Sequence, residues 1–246
     1  CGVIRAGQAF LSLGTSGVIF LADDDYRPHP RAATHTFCHA LPRRWHQMSV
    51  MLSAAGAVEW AVGALGFAGA GELVASAEAR GRPCETEYFL PYLNGERTPH
   101  NDPHAKGVFF GLTSGSDRGA LAQAVLEGVG FGLRQGLDAL RSGGAAVDSL
   151  SVVGGGSRSA YWGGILSSML GLTLTYREGA VVGPAVGAAR LARLGATSEP
   201  TEVVCAMPEA VATVEPAPAW AEHFARRAEG FRMLYERLQP LFAETR

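Results

Sequence analysis

The stretch "DSLSVVGGGSRSAYWGGILSSMLG", residues 148–171, constrains the fold most. A short apolar run ends at Val153, three glycines turn the chain, and a helix-period segment follows with Ser157 and Ser159 near its first turn. "TLTY" (173–176) then reads as a strand and "PAVGAARLARLG" (184–195) as a helix. Strand alternating with helix builds a sheet with helices on its faces, so the fold class is α/β. The glycine turn lets a flat ring or a phosphate lie against bare backbone, beside helix N–H groups and the positive end of the helix dipole. The spacing is neither G-x-G-x-x-G nor a G-K-[ST] loop. A turn chosen only for close packing is the plain alternative.

A second glycine turn stands near the front, in "SLGTSG" (12–17). Apolar runs on either side make residues 9–22 a β-hairpin with "GTSG" as its tip. Such a tip can hold a phosphate, because small residues let backbone N–H groups approach an anion. It can equally be an ordinary hairpin. Residues 27–46 read as loop and short strand, broken by Pro28, Pro30 and Pro42. The span 49–66 has helix spacing, with Met51, Ala55, Val58 and Val62 on one face. A short helix over 71–80 leads to a Pro/Gly-rich excursion between two short strands within 88–112. The longest helical pattern, 117–141, has Asp117 as its expected N-cap and "SGG" at 142–144 as its stop. A last helix spans 218–242.

Bulk properties exclude several classes. With 47% apolar and 18% charged residues over 246 positions, the chain is a globular protein with a substantial core. Its net charge of −2, with a single lysine (Lys106), draws it to neither nucleic acid nor an anionic membrane. Glu59 and several glycines interrupt the apolar stretch 50–67, which reads as a buried helix rather than a span. Cys1, Cys38, Cys84 and Cys205 form no C-x-x-C pair, which reads as reduced thiols in a cytoplasmic protein. The abrupt opening "CGVIRAGQAF" reads as a piece of something longer.

Several motifs have competing readings. Glu59, on a largely apolar helix, calls for a partner. "PYLNGERTPHNDPHAKG" (91–107) packs Glu96, Arg97, His100, Asn101, Asp102 and His104 into a Pro-bounded loop. It is either functional or a local device in which Glu96, Arg97 and Thr98 satisfy backbone groups. His35, Cys38, His39 and His46 lack the spacing of a metal site, so no metal ligands are assigned. "GTSGV" contains no G-x-S-x-G elbow, which argues against a serine hydrolase.

The order of the segments says more than any one of them. "GQAFLSLGTSGVIF", "MLSAAGAVEW", "FLPYLNGERTPHNDPHAKGVFFGLT", "ALAQAVLEGVGFGLRQGLDAL", "VVGGGSRSAYWGGILSSMLG" and "GPAVGAARLA" run in one series. Over residues 1 to about 195 this resembles the C-terminal half of the FGGY carbohydrate kinases, and within them the xylulokinase branch. The resemblance implies an actin-like ATPase domain of ribonuclease-H-like topology, the second of two, with residues 1–246 as the nucleotide-binding half and the sugar-binding N-terminal domain outside the chain. It implies ATP with Mg2+, ADP as product and a pentulose as partner, the 5-hydroxyl of D-xylulose being phosphorylated. A related kinase for ribulose or glycerol and a non-catalytic nucleotide-binding module are the alternatives. Carried over position by position, Gly14, Thr15 and Ser16 cradle phosphates. Ala55, Gly56 and Glu59 lie beside the nucleotide, and Gly155, Gly156, Ser159 and Ala160 abut the adenosine. The catalytic aspartate of the family is expected just upstream of Cys1, so no catalytic residue is assigned within the chain. Asp23, Asp24 and Asp25 read as solvated.

Phe224, Phe231, Leu234, Tyr235 and Leu238 line one side of the closing helix. Packing on its own domain is the favoured reading; the missing half, or a second subunit in a homodimer, are the others.

Overall fold

The computed structural model describes residues 1–179 and 184–244, the side chains of Ser157 and Arg158 excepted; Gly183 of "GPAVGAARLA" thus lies outside the described residues. The expected hairpin forms from β1 (Ala9–Leu13) and β2 (Gly17–Asp23). β3 (His35–Cys38) and β4 (Trp45–Met51) extend the sheet antiparallel beyond β2. α1 (Ala55–Leu65) and α2 (Ala70–Glu78) follow, then the small pair β5 (Tyr88–Pro91) and β6 (Gly107–Phe110). α3 (Arg118–Ser142) leads to β7 (Ser149–Val153), α4 (Ala160–Leu170) and β8 (Thr173–Arg177). α5 (Pro184–Ala196), α6 (Thr201–Val204), β9 (Ala210–Val214) and α7 (Pro218–Glu244) complete the chain. The main sheet runs β3-β4-β2-β1-β7-β8-β9, with β1, β7 and β8 mutually parallel.

Alternation along β1 and β2 sets the core. Leu11, Leu13, Ile19 and Leu21 are buried on one face, and α1, α3 and α4 supply much of the rest of the same cluster. On the opposite face Phe10 stacks on Phe20 at 4.9 Å and Phe20 on His46 at 4.6 Å. α3 begins as expected, the Asp117 carboxylate accepting from the Ala120 N–H at 2.7 Å, and Gly143 ends it. It lies close against its neighbours because Gly128, Gly132 and Gly136 form one stripe. A Cβ at Gly128 would stand 2.2 Å from the Phe89 carbonyl oxygen, and one at Gly136 2.8 Å from Ser49 Oγ. At Gly128 the obstacle is backbone, so a larger residue there would have to move the helix or β5, whereas at Gly132 and Gly136 it is the side chain of Met51 or Ser49.

One sequence expectation needs correcting. The helix foreseen over 49–66 begins only at Ala55, because Ser49, Val50 and Met51 belong to β4. Residues 27–46 are loop and short strand as expected, the strand being β3, with β4 starting at Trp45. Neither α6 nor β9 was anticipated. All four cysteines are free. No single helix among the described residues is long and apolar enough to cross a membrane.

The closing helix packs on its own domain. Phe224, Phe231, Leu234 and Tyr235 are buried and Leu238 packs against the core. One buried ion pair pins it there. The Arg227 guanidinium on α7 meets the Glu127 carboxylate on α3, donates to the Glu87 carbonyl and lies 4.2 Å from the Tyr88 ring centroid. Glu127 also accepts from the Cys84 N–H at 2.8 Å and from Gln123 Nε2 at 2.7 Å. Removing one partner leaves a buried charge without its counterion, so Arg227→Leu is expected to cost about 3–5 kcal/mol. Urea denaturation checks this, and Arg227→Leu with Glu127→Gln should recover part of the loss.

Candidate functional site

Parallel pairing places Phe10 opposite Ser151, Leu11 opposite Val152 and Ser12 opposite Val153. The carboxyl ends of β1 and β7 therefore lie side by side, and each leads directly into one of the glycine turns. Ligands of open α/β sheets gather outside the carboxyl ends of such strands. Gly154 sits at φ 99°, a region that favours glycine, and a Cβ there would stand 2.7 Å from the Leu13 carbonyl oxygen. A Cβ at Gly156 would meet Leu13 Cγ at 2.7 Å. The second turn is thus seated on the last residue of β1, immediately before the hairpin tip.

The tip is held from the side by α1. Ala54 N–H and Gly56 N–H donate to the Thr15 carbonyl at 2.8 and 3.1 Å, and Ala55 N–H donates to the Gly14 carbonyl at 2.9 Å. Gly56 is glycine because a Cβ would stand 2.9 Å from that Thr15 oxygen. These amides are ones a helix N-terminus leaves unpaired. Here the hairpin satisfies them, so Ala55 and Gly56 position the tip with their backbones. Gly14 N–H bonds to the Ser16 carbonyl at 3.1 Å. Thr15 and Ser16 are exposed, and among the described residues nothing accepts from their N–H groups. Those two amides and hydroxyls are what the tip offers an anion.

On the second turn, Gly155 has no atom within 4 Å of where a Cβ would stand, so its face is open. Ser159 caps α4, its hydroxyl accepting from the Trp162 N–H at 3.1 Å, and Ala160 is exposed at the first helical position. The structure thus brings Gly14, Thr15, Ser16, Ala55 and Gly56 into one unit, and seats Gly155, Gly156, Ser159 and Ala160 on the neighbouring turn. Glu59 departs from the expectation that it calls for a partner. It is exposed on α1, a full turn along from Gly56, and as a solvated carboxylate it needs no partner.

The buried carboxylate lies in the loop at 91–107 instead. Glu96 is 3% exposed, and its Oε1 accepts from Leu52 N–H at 3.0 Å and Arg97 N–H at 2.7 Å. Thr98 Oγ1 accepts from Val50 N–H at 3.0 Å and donates to the Ala33 carbonyl at 2.9 Å. The backbone-satisfying reading of this loop is correct for Glu96 and Thr98, but two of the amides served lie on β4 and the link to α1. Arg97 stays exposed, with Nη1 3.4 Å from His35 Nε2. His100 stacks on Tyr235 at 3.6 Å and shares hydrogen bonds with Tyr92 and Gln135, each at 3.2 Å. Burial pushes its pKa down to about 4, so it is neutral at physiological pH. Burial also pushes Glu96 up to about 7, against the pull of its two backbone donors.

Residues 9–196 match the FGGY family of carbohydrate kinases, C-terminal domain. The chain belongs to this family. It is 48% identical to the xylulose kinase of Escherichia coli K12 over 244 residues, which are 98% of this chain and 50% of that protein. Among solved structures, a xyloylose kinase from Brucella ovis superposes with a TM-score of 0.92 at 44% identity, covering 98% of this chain and 49% of the other. The xylulose kinase of Rhodospirillum rubrum does so at 0.85 and 30%, with 98% and 49% covered. The α/β, actin-like fold is therefore the one the sequence implied. The chain spans about half the length of the relatives it matches.

Two measurements check the site's architecture. Gly154→Ala is expected to destabilise by about 2 kcal/mol or more, through its backbone strain and its clash with Leu13. Gly155→Ala should stay within about 0.5 kcal/mol in the same denaturation assay. For Glu96, the folded state holds a proton that the unfolded state releases between pH 4.5 and about 7. Stability contributed by that proton falls as pH rises through this window and levels off above it. Glu96→Gln removes the dependence, so its stability relative to wild type should rise by up to about 3 kcal/mol from pH 4.5 to 7.5 in thermal melts.

Proposed function

We propose that this chain is the nucleotide-binding half of a xylulokinase-type enzyme. In it the γ-phosphoryl group of ATP passes to the 5-hydroxyl of D-xylulose, which is bound through the remainder of the full-length protein. The observation carrying this reading is the placement of two glycine turns at the adjacent carboxyl ends of β1 and β7, one with open amides and one with an open glycine face. The xylulose kinases among its relatives supply the sugar.

In this reading Thr15 and Ser16 donate their N–H and hydroxyl groups to the phosphates, while Gly14 makes the close approach. The adenosine lies along Gly155 and Gly156, with the first turn of α4 at Ser159 and Ala160 beside it. Ala55 and Gly56 fix the tip. Glu59, exposed about a turn further along α1, lies beside the nucleotide in this reading. Phosphoryl transfer demands little covalent work, so such positioning, with closure of the two halves excluding water, is the chain's contribution. Mg2+ would neutralise phosphate charge. No group of three or more His, Cys, Asp or Glu converges among the described residues, so none is assigned to it. The proton acceptor for the sugar hydroxyl is proposed to be the family aspartate, whose matching position precedes Cys1.

Steady-state kinetics on the full-length protein test this. Turnover is expected with ATP and D-xylulose. Gly155→Val, whose Cβ would have no atom within 4 Å in the fold, should raise the KM for ATP about ten-fold or more while leaving the sugar KM within about two-fold. Phosphorylation of ribulose or glycerol but not xylulose would replace the substrate. No turnover with any sugar, alongside retained ATP binding, would leave a nucleotide-binding module.

A further inference from the structure

The hairpin tip owes its lateral position to α1, so whatever fixes the start of α1 also fixes the tip. Three amides, those of Ala54, Ala55 and Gly56, hold the carbonyls of Gly14 and Thr15 at 2.8–3.1 Å. The link between β4 and α1 is only Leu52, Ser53 and Ala54. Sheet bonding does not reach it. β3 covers β4 from Trp45 to Met48, and β2 covers it as far as Met51.

Beyond β3, the loop at 91–107 takes over the free edge of β4. Thr98 N–H donates to the Val50 carbonyl at 3.0 Å, and Thr98 Oγ1 accepts from Val50 N–H at 3.0 Å. Two residues on, Leu52 N–H has only a side chain to bond, and that side chain is Glu96 Oε1 at 3.0 Å. Ser53 receives a longer contact from Asn94 Nδ2 at 3.4 Å. Glu96 itself cannot drift. It is buried, its backbone exchanges two bonds of 2.8 Å with Asp102, and Asp102 in turn accepts from the Tyr235 hydroxyl at 2.9 Å. Its Oε2 is buried with no hydrogen-bond partner, so the carboxyl is kept for the two bonds Oε1 accepts, one from Arg97 N–H in its own loop and one reaching out to Leu52 N–H, at a desolvation cost. A carboxylate retained at that cost points to a role in geometry.

We infer that Glu96 is a positioning residue for phosphoryl transfer: through Leu52 and the first amides of α1 it sets where the Gly14–Ser16 tip holds the phosphates. This rests on the phosphate reading of the tip given above. The chain of contacts runs Tyr235, Asp102, Glu96, Leu52, Ala54–Gly56, Thr15, and each link but the covalent one from Leu52 to Ala54 is a hydrogen bond.

The test uses the full-length enzyme with Mg-ATP and D-xylulose. Glu96→Ala withdraws the acceptor from Leu52 N–H; the KM for ATP is expected to rise about five- to ten-fold, with the sugar KM within about two-fold. Glu96→Gln keeps an oxygen at the same place and should return the KM for ATP to within about two-fold of wild type. A merely structural role would instead lower the active fraction and kcat, leave both KM values alone, and show no rescue by Gln. That pattern, or equal rises in both KM values, overturns the inference. Should Glu96→Ala fail to fold, Thr98→Val, with Thr98→Ser as its rescue, carries the same expectation through Val50. Amide exchange at residues 52–56, faster in Glu96→Ala or Thr98→Val and restored in the rescues, reads the same link without turnover. If Gly155→Val raises the KM for ATP and the Glu96 series does not, the inference fails and the phosphate reading stands. If neither moves it, the reading itself fails.

Discussion

Parallel pairing of β1 with β7 is the contact on which the rest of the site depends. The two strands are far apart in sequence, and their register alone brings the hairpin tip beside the glycine turn. It also places Leu13 under Gly154 and Gly156, where carbonyl and side chain close the gap that missing Cβ atoms leave. A slip of one residue would turn Leu11 and Leu13 to the other face and lift the turn off its seat. Helices α1, α3 and α4 fill the inner face and so hold that register in place.

Much of this was legible in the sequence, and the misses share a cause. The hairpin, the glycine turns, α3 with its Asp117 cap and the packing of α7 all carry local signals: apolar period, capping chemistry, breakers. β4 is hidden from sequence periodicity because its inward positions include Gln47 and Ser49, both buried, so the strand shows no apolar alternation. Met51, Ala55, Val58 and Val62 then mimic a longer helix. β9 is mostly exposed along its length, and α6 spans only Thr201–Val204, too short for a period to register. Glu59 suggests burial because its sequence neighbours are apolar, yet it lies on the exposed side of α1.

Buried charge was the least legible element. Glu127 and Arg227 are separated by a hundred positions, and nothing local in either segment announces the other. Glu96 stood out for its company of polar residues, but the amide it serves at Leu52 lies 44 positions earlier. Both acids sit where a backbone segment would otherwise lose its partner: Glu127 at Cys84, Glu96 at Leu52. The fold uses carboxylates as substitutes for ladder bonds at places where strands or helices cannot reach. Such sites are invisible to periodicity, because what selects the residue is an unpaired N–H in a distant segment.

The glycine stripe of α3 bears on how such a sequence can drift. Glycine and alanine codons differ by one base, and this chain is rich in both, so the exchange must arise often by mutation. At Gly128 the added methyl would meet the Phe89 carbonyl at 2.2 Å, and at Gly132 the Met51 methyl at 2.9 Å. Mutation pressure and packing therefore oppose each other along one line of the helix that carries much of the core. At Gly128 the obstacle is backbone, so drift there needs a matching shift of β5, whereas at Gly132 it is the flexible end of Met51, which can swing aside. The histories of α3, β4 and β5 are thus tied to one another to unequal degrees.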